Sequence, residues 1–376
     1  MEHYLDNSAT TKVCPEAAEA ALLAMTEVYG NPSSTHTKGR EAKQLLDKSR
    51  KQVADALGCT AQELVFTSCG SESDNWAILN GAELMRRKGM HIISSQVEHD
   101  AVRKSLDELE RRGFEVTRLK PDDTGAIPMQ AVMEALRPDT VLVTLMLVNN
   151  ETGAVTDIGA IAKAMKKAGS QALLHTDAVQ AFMKLPFTVK TLGADLVSVS
   201  GHKIHAPKGI GALYIKNGVK LKPYLLGGGQ ENGRRAGTEA MPQIAAFGAA
   251  CQAAKAHLQE NYERMDALRQ LAIDALRRDI PELVGIGGGA PHILSISLPG
   301  WRSEVLMNFM EAQEIYVSKS SACKKGGRSH VLEAIGLAPK VIDGAIRIGL
   351  SRFTTQEDIL ALCAALKEAR SKLAHA

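Results

Sequence analysis

One lysine at the end of an apolar segment is the first candidate for chemistry. Lys203 closes the stretch Ser-Gly-His-Lys, which follows a strand-like run that ends at Ser200. A lysine amine held at a strand end can form a Schiff base with a carbonyl cofactor. The hydroxyl of Ser200 and the imidazole of His202 could hold a phosphate group beside it. Most lysines are ordinary surface residues, and Lys208 nearby is a competing candidate.

Two more polar residues follow apolar runs. Asp177 comes directly after a short apolar segment, and a carboxylate there can keep a pyridine nitrogen protonated so that the ring acts as an electron sink. The alternative for Asp177 is a helix N-cap. His99 follows the run His91–Ser95 and could stack on a planar cofactor or transfer protons. A lone histidine is more often structural.

A loop of small polar residues precedes one helical pattern. It includes Gly70 and Ser71, and the helix-like sequence continues to Arg87. Backbone N–H groups and the helix dipole make such a helix start receptive to phosphate. The same pattern also describes an ordinary helix cap.

One cysteine differs from the others in its neighbours. The chain contains Cys14, Cys59, Cys69, Cys251, Cys323 and Cys363. No CxxC pair occurs, which argues against zinc or iron–sulfur ligands, and we predict no metal site. Lys324, Lys325 and Arg328 would favour the thiolate of Cys323, and two glycines after it would let the loop move. The alternative is an incidental cysteine in a solvated loop.

Two further segments are candidates for binding. Arg352, in the stretch Arg-Phe-Thr-Thr, could clamp a substrate carboxylate with its planar guanidinium, although a surface salt bridge is the alternative. A glycine-rich stretch that ends near Thr238 is typical of a functional loop or an interface.

The elements that position these residues alternate between strand and helix patterns. Strand patterns occur at 91–95, 116–119, 140–148, 172–175, 196–200 and 211–215, with helical patterns between several of them. This alternation predicts a largely parallel sheet covered by helices, and ligands bind beyond the carboxyl ends of such strands. A long helical pattern at 241–279 precedes a mixed pattern that predicts a smaller α+β unit, with a boundary near residue 256.

Composition excludes some classes of protein. Hydrophobic residues make up 45% and charged residues 23% of 376 residues, with a net charge of +3. These values are typical of a soluble globular protein and provide no general field for nucleic acid or an acidic membrane. The longest apolar run is too short to span a bilayer, and the N-terminus has no signal-peptide pattern, so we expect a cytoplasmic protein.

Together and in this order, the motifs resemble the cysteine desulfurases of the NifS/IscS type, within class V of the aminotransferase fold. The resemblance extends from residues 4–11 to Arg352 and includes residues 31–34 and 148–153. It implies a fold type I, pyridoxal-phosphate-dependent transferase with an α/β architecture. Residues 16–255 would form the large cofactor-binding domain, with its mostly parallel sheet. Residues 1–15 and 256–376 would form the small α+β domain that carries the catalytic cysteine loop.

The resemblance also implies a role for each candidate residue. Lys203 would form the Schiff base with pyridoxal 5'-phosphate, and Cys323 would accept sulfur. His99 would stack on the ring and transfer protons. Asp177 would pair with the ring nitrogen, and Gln180 would contact the ring oxygen. The phosphate would be bound by Gly70, Ser71, Ser200 and His202, and Thr238 would reach the phosphate bound in the partner subunit. The substrate would be positioned by Asn150 and Arg352.

The implied reaction converts L-cysteine to L-alanine and leaves a persulfide on Cys323. The sulfur would pass to an acceptor protein, either an iron–sulfur scaffold or a tRNA-thiolation enzyme, and a homodimer is implied. Two features depart from the family pattern. Cys69 stands where glycine is common, before Gly70-Ser71 in place of alanine-threonine, and the segment after Cys323 is shorter and more basic.

Three alternatives remain at this stage. A selenocysteine lyase, or another class V lyase or aminotransferase, would need no nucleophilic cysteine on a basic loop. A nicotinamide-dependent oxidoreductase is suggested by residues 285–290, which fit G-x-G-x-x-A, but a strand pattern follows where a helix is needed. A non-catalytic scaffold is the third alternative, and it would fail to take up the coloured cofactor.

Overall fold

The computed structural model describes residues 1–319 and 327–373, so Cys323 lies outside the described residues. In the first part of the chain the elements are β1 (His3–Tyr4), α1 (Pro15–Thr26), α2 (Thr37–Leu57), β2 (Leu64–Thr67), α3 (Gly70–Met85), β3 (His91–Ser95), α4 (Asp100–Arg111), β4 (Glu115–Leu119), α5 (Met129–Ala135), β5 (Thr140–Met146), α6 (Ile158–Lys167), β6 (Leu173–Asp177), α7 (Val189–Leu192), β7 (Leu196–Ser200) and β8 (Gly211–Ile215). The second part contains α8 (Met241–Ala256), α9 (Leu258–Asp279), β9 (Val284–Ile286), β10 (Ile293–Ser297), α10 (Ser303–Glu311), β11 (Ile315–Tyr316), β12 (Ser318–Lys319), α11 (His330–Ile335), α12 (Pro339–Asp343), β13 (Ala345–Gly349) and α13 (Gln356–Lys372).

A seven-stranded sheet with the order β2-β8-β7-β6-β5-β3-β4 forms the centre of the molecule. Its strands are parallel except β8, which runs antiparallel to both β2 and β7. Every residue of β5, β6 and β7 is buried, as expected for strands covered by helices on both faces. The predicted α/β fold with a mostly parallel sheet is therefore confirmed.

A second, antiparallel sheet with the order β12-β13-β10-β9 lies in the C-terminal part. Its hydrophobic core includes Leu5 together with side chains between residues 265 and 369, and β1 pairs in parallel with β11. The N-terminal strand is thus attached to the C-terminal part of the chain. The G-x-G-x-x-A stretch at 285–290 begins within β9 and is followed by strand β10 and not by a helix, so the dinucleotide fingerprint is not formed.

The long helical pattern at 241–279 is interrupted. Helix α8 ends at Ala256, and α9 begins at Leu258 because His257 leaves the helical conformation, with φ −127° and ψ 23°. The break lies beside the boundary predicted near residue 256, and the division into two domains stays a prediction. Strand β2 and helix α1 were not predicted, because β2 has only four residues and α1 has alanine on much of its buried face.

None of the helices in the described part of the chain has an apolar stretch long enough to cross a bilayer.

A buried ion pair fixes the glycine-rich segment to the sheet. Arg50 of α2 donates two hydrogen bonds to Glu231, at 2.7 and 2.6 Å, and the backbone N–H of Phe66 donates to the same carboxylate at 3.0 Å. The side chain of Glu231 is only 4% exposed. The backbone of Glu231 has a φ of 49°, a left-handed conformation that these three hydrogen bonds help to hold.

Replacing Glu231 by alanine will lower the free energy of unfolding by about 3–5 kcal/mol, because the buried Arg50 loses its counter-charge. Urea denaturation followed by circular dichroism measures the change. The control is Glu83→Ala, which breaks an exposed i,i+3 pair with Arg86 and will cost less than about 1 kcal/mol. Equal losses in the two variants would contradict the role given to the buried pair.

Candidate active site

A cavity of about 310 Å³ lies at the carboxyl edge of the central sheet. The ends of β5, β6 and β7, the start of α3 and the middle of β13 contribute to its wall. Carboxyl ends of parallel strands meet at one sheet edge, which is why side chains far apart in sequence converge here. The candidates that line it are Gly70, Ser71, His99, Asn150, Asp177, Gln180, Ser200, His202 and Lys203.

Lys203 is held by backbone carbonyl groups from the N-terminal segment. It ends a short 3₁₀ turn after β7, and its Nζ donates to the carbonyl oxygens of Ser8 at 2.6 Å and Ala9 at 2.7 Å. Both carbonyl-bearing residues line the same cavity. The alternative lysine, Lys208, does not line the cavity and instead approaches the carbonyl of Thr11 at 3.4 Å. The structure therefore favours Lys203 as the reactive amine.

The start of α3 offers backbone N–H groups to the cavity. Cys69 is the N-cap residue, and Gly70 and Ser71 begin a 16-residue helix whose first N–H groups have no partner within the helix. A Cβ at Gly70 would lie 2.7 Å from a methyl carbon of Val179, so glycine lets the helix approach the loop after β6. This end of the cavity suits an anionic group such as a phosphate.

The imidazole of His202 borders the same anion-binding end. Its Nδ1 is 3.2 Å from the hydroxyl oxygen of Thr10. Burial, together with the nearby charges of Lys203 and Lys184, lowers the pKa of His202 to about 4. The ring is therefore neutral at physiological pH and serves as a hydrogen-bonding group.

Asp177 is the last residue of β6, as the sequence predicted. The backbone N–H of Val179 donates to its carboxyl at 2.9 Å, and Gln180 donates through Nε2 to the carbonyl of Ser8 at 2.9 Å. Burial raises the pKa of Asp177, and the charge of Lys203 opposes this rise. Within the described part of the chain, Asp177 therefore makes no direct ion pair.

His99 is fixed by its own helix. It is the N-cap residue of α4, and its Nδ1 accepts a hydrogen bond from the backbone N–H of Ala101 at 3.1 Å. In the neutral tautomer set by this bond, Nε2 carries the proton. The ring borders the cavity and has one nitrogen available to exchange a proton.

Three buried carboxyl groups in the wall, those of Asp74, Glu98 and Glu151, were not predicted. Glu98 is fully buried, and its Oε1 accepts from the hydroxyl of Ser95 at 2.5 Å and from the N–H of Met146 at 3.2 Å. Burial raises the pKa of Glu98 to about 8 and that of Glu151 to about 7. Glu151 is hydrogen-bonded to the hydroxyl of Ser329. A glutamate next to a candidate histidine was the sequence signal available for Glu98.

Arg347, rather than Arg352, lies in the cavity wall. Arg347 is 2% exposed, and it donates to the carbonyl of Asn150 at 2.8 Å and to the hydroxyl of Ser318 at 2.8 Å. Arg352 lies outside the lining, with its guanidinium 4.9 Å from the ring centre of Phe353. The signal that could have identified Arg347 is a charged residue in the middle of an otherwise apolar strand.

The other predicted residues have different outcomes. Thr238 is exposed and lies outside the cavity, so its contact with a partner subunit stays a prediction. Cys323 is outside the described residues. Among the residues that are described, none form a cluster of three or more histidine, cysteine, aspartate or glutamate side chains suited to a metal ion.

The fold and the cavity together define an α/β enzyme with a lysine and an aspartate at the carboxyl edge of its sheet. Residues 3–362 match the family model described as Aminotransferase class-V. The cysteine desulfurase IscS of Methanosarcina thermophila is 43% identical over 361 residues, which cover 95% of this chain and 89% of the relative. The chain therefore belongs to the class-V aminotransferases and, within them, to the cysteine desulfurase family.

Solved structures agree with this family. A NifS-like protein superposes with a TM-score of 0.93 and 35% identity, covering 99% of this chain and all of the other. A structure of SspA in complex with cysteine has a TM-score of 0.80 and 33% identity, covering 94% and 100% of the two chains.

The raised pKa of Glu98 predicts a pH-dependent stability. Its ordinary value is 4.5 and its value in the folded protein is about 8, so the folded state binds more protons between these limits. Stability is therefore lost as the pH rises through this window, and Glu98→Gln removes that loss.

At about pH 9 the Glu98→Gln variant will be more stable than the parent by roughly 2–4 kcal/mol, with a much smaller difference near pH 5. Urea denaturation at both pH values measures this, and Glu19→Gln on the exposed face of α1 is the matched control. A constant difference between Glu98→Gln and the parent at all pH values would contradict the buried, protonated glutamic acid.

Proposed function

We propose that this protein is a pyridoxal-phosphate-dependent cysteine desulfurase that converts L-cysteine to L-alanine and keeps the sulfur as a persulfide on Cys323. The observation that carries the proposal is the position of the Lys203 amine, which enters the cavity that Asp177 and the start of α3 also line. Membership of the cysteine desulfurase family supports the same reaction.

The residues of the cavity fit the cofactor on three separate features. Gly70, Ser71, Ser200 and His202 suit its phosphate, Asp177 suits a protonated ring nitrogen, and His99 borders the space that the ring would occupy. Gln180 has an unpartnered, buried Oε1 among the described residues, as well as the amide that binds Ser8. When bound, pyridoxal phosphate supplies an electron sink for the carbanion formed at the substrate α-carbon.

The substrate-binding residues are best taken from the cavity itself. A planar guanidinium can bind the carboxylate of an amino acid through paired hydrogen bonds. Arg347 has a buried Nε without a partner among the described residues, and it lies against Asn150. We therefore assign the substrate carboxylate to Arg347, with Asn150 beside it, in place of the predicted Arg352.

The side chains of this chain then have distinct tasks. Lys203 removes the α-proton of the substrate, and the carbonyls of Ser8 and Ala9 hold its amine in place. His99 exchanges a proton through Nε2. The thiolate of Cys323 attacks the sulfur of cysteine, the new S–S bond forms as the C–S bond breaks, and protonation of the remaining fragment gives alanine. L-Cysteine and one enzyme thiol thus yield L-alanine and one enzyme persulfide.

The persulfide would pass to an acceptor protein, either an iron–sulfur scaffold or an enzyme of tRNA thiolation. A homodimer, in which Thr238 reaches the partner's phosphate site, and a cytoplasmic location remain predictions. The basic residues around Cys323 would suit an acidic surface on the acceptor.

The decisive experiment for the cofactor is borohydride reduction of the purified holoenzyme followed by peptide mass spectrometry. A pyridoxyl adduct is expected on Lys203, and Lys203→Ala will lose both the adduct and turnover. Cys323→Ser will keep the adduct and cofactor binding but will form no persulfide. An adduct on another lysine would refute the cofactor site, and full persulfide formation in Cys323→Ser would direct attention to Cys69.

Changing the two arginines separates their roles. Arg347→Gln will raise the KM for cysteine roughly 10- to 100-fold, because a hydrogen-bonded charge pair contributes about 1.5–3 kcal/mol. Arg352→Gln is the matched variant and will change KM little. Steady-state alanine release measures both, with cofactor content as the check on folding. A larger KM increase in Arg352→Gln would show that Arg352, the residue predicted from sequence, binds the substrate carboxylate.

A further inference from the structure

The glycine-rich segment that ends near Thr238 contacts the start of α3 through Arg235. The guanidinium of Arg235 donates to the carboxylate of Glu72 through Nε at 2.9 Å and through Nη2 at 3.2 Å. Glu72 lies in the first turn of α3, directly after Ser71. Two parallel hydrogen bonds between a guanidinium and a carboxylate fix the orientation of both groups. The segment is therefore joined to the helix start that borders the cavity.

The carboxylate of Glu72 also holds the turn that precedes the helix. Its Oε2 accepts a hydrogen bond from the backbone N–H of Ser68 at 2.8 Å, four residues earlier in the chain. Residues 69–71 lie between these two residues, and all three line the cavity. The backbone that would face a phosphate is thus closed into one turn by a carboxylate that Arg235 holds from the other side.

A carboxylate in the first turn of a helix is unfavourable for a site that binds an anion. The N-terminal end of a helix carries a partial positive charge, which attracts a phosphate and a carboxylate alike. An unpaired Glu72 would take up this attraction and would repel a phosphate bound at the same turn. Arg235 supplies the compensating charge, and water screens the pair little, because the side chains of Glu72 and Arg235 are 10% and 21% exposed.

Arg235 is available to Glu72 because the other nearby carboxylate is already paired. The charge of Glu231 also acts on Arg235, but Glu231 accepts two hydrogen bonds from Arg50. Arg234, the preceding residue, donates to the carbonyl of Leu64 at 3.2 Å. The glycine-rich segment is therefore attached to β2 as well as to α3, and the backbone that carries the guanidinium is held in place.

We infer that Arg235 is a positioning residue for the phosphate of the cofactor: it holds and neutralises Glu72, and thereby keeps the start of α3 available to an anion. The inference rests on the proposed function and deepens it, because it gives the glycine-rich segment a part in cofactor binding. Arg235 lies outside the lining of the cavity, so it acts through Glu72 and not by contact with the cofactor.

The test compares pyridoxal phosphate with pyridoxal, which has the same ring and no phosphate. Absorbance titration of the apoprotein gives the dissociation constant of each ligand. Arg235→Gln will weaken pyridoxal phosphate binding roughly 10- to 100-fold, because the unpaired charge of Glu72 repels the phosphate, and it will change pyridoxal binding less than about twofold. Equal losses for the two ligands would overturn the inference, since a general structural role would weaken both.

A double variant separates the effect of charge from that of packing. Glu72→Gln combined with Arg235→Gln leaves no uncompensated charge, and the new amide oxygen can still accept from the N–H of Ser68. The double variant will bind pyridoxal phosphate roughly 3- to 30-fold more tightly than Arg235→Gln alone, because the two residues are directly coupled. Binding as weak as that of Arg235→Gln, or weaker, would contradict the inference.

Arg86→Gln is the matched control on the same helix. Arg86 pairs with Glu83 near the C-terminal end of α3, far from the cavity, and its removal will change neither affinity. Circular dichroism checks the folding of each variant. If Arg235→Gln does not fold, Arg235→Lys decides: it keeps the positive charge and will bind pyridoxal phosphate within about threefold of the parent, and a loss above about tenfold overturns the inference.

Inorganic phosphate separates the inference from the proposed function, because it binds without a pyridoxal ring. Isothermal titration calorimetry of the apoprotein measures its affinity. If the parent binds phosphate but not pyridoxal phosphate, the proposed function fails, and the inference stands only if Arg235→Gln weakens phosphate binding. If the parent and Arg235→Gln bind pyridoxal phosphate equally well, the inference fails and the proposed function stands. A parent that binds neither ligand refutes both.

Discussion

The docking of residues 5–11 against both sheets is the interaction on which the site depends. Leu5 is buried in the C-terminal core, and the side-chain amide of Asn7 donates to the carbonyl of Gly349 at 2.9 Å. One residue further, the carbonyl of Ser8 accepts the hydrogen bond of Lys203. Gly349 permits this approach, since a Cβ there would lie 2.5 Å from the backbone nitrogen of Ser8. The position of the Lys203 amine is therefore set by a segment that the C-terminal part of the chain holds.

Burial shifts the pKa values of ionisable groups in and near the cavity. Burial lowers the pKa of Lys184 to about 7, and it raises the pKa of Glu98 to about 8. Both groups lose charge in the folded protein because desolvation outweighs their interactions. Burial also raises the pKa of Asp177, although the charge of Lys203 opposes the rise. Desolvation is thus the main influence on the buried carboxyl groups of the cavity wall.

Sequence reasoning identified residues of the cavity wall where motifs follow strands, and it missed wall residues that come from other elements. Lys203, Asp177 and His99 each follow a recognisable apolar strand, so the rule for parallel sheets places all three at one edge. Asp74 lies inside a helical pattern, where an aspartate is indistinguishable from a solvent-facing residue until the helix is packed. Arg347 and Arg352 belong to one motif. Which of them lies in the cavity wall depends on the register of β13 against β10 and β12, and the local sequence pattern does not specify that register.

Arg347 links the cavity wall to the part of the chain that precedes Cys323. It donates to the carbonyl of Asn150, to the hydroxyl of Ser318 on β12, and, at 3.3 Å, to the carboxylate of Asp6. On the far side of Cys323, Ser329 is hydrogen-bonded to Glu151, the residue after Asn150. The segments on both sides of Cys323 are thus attached to one short stretch of backbone after β5. Because that stretch also contributes Asn150 to the cavity, the residue proposed to bind the substrate and the contacts of Ser318 and Ser329 depend on the same short stretch of backbone.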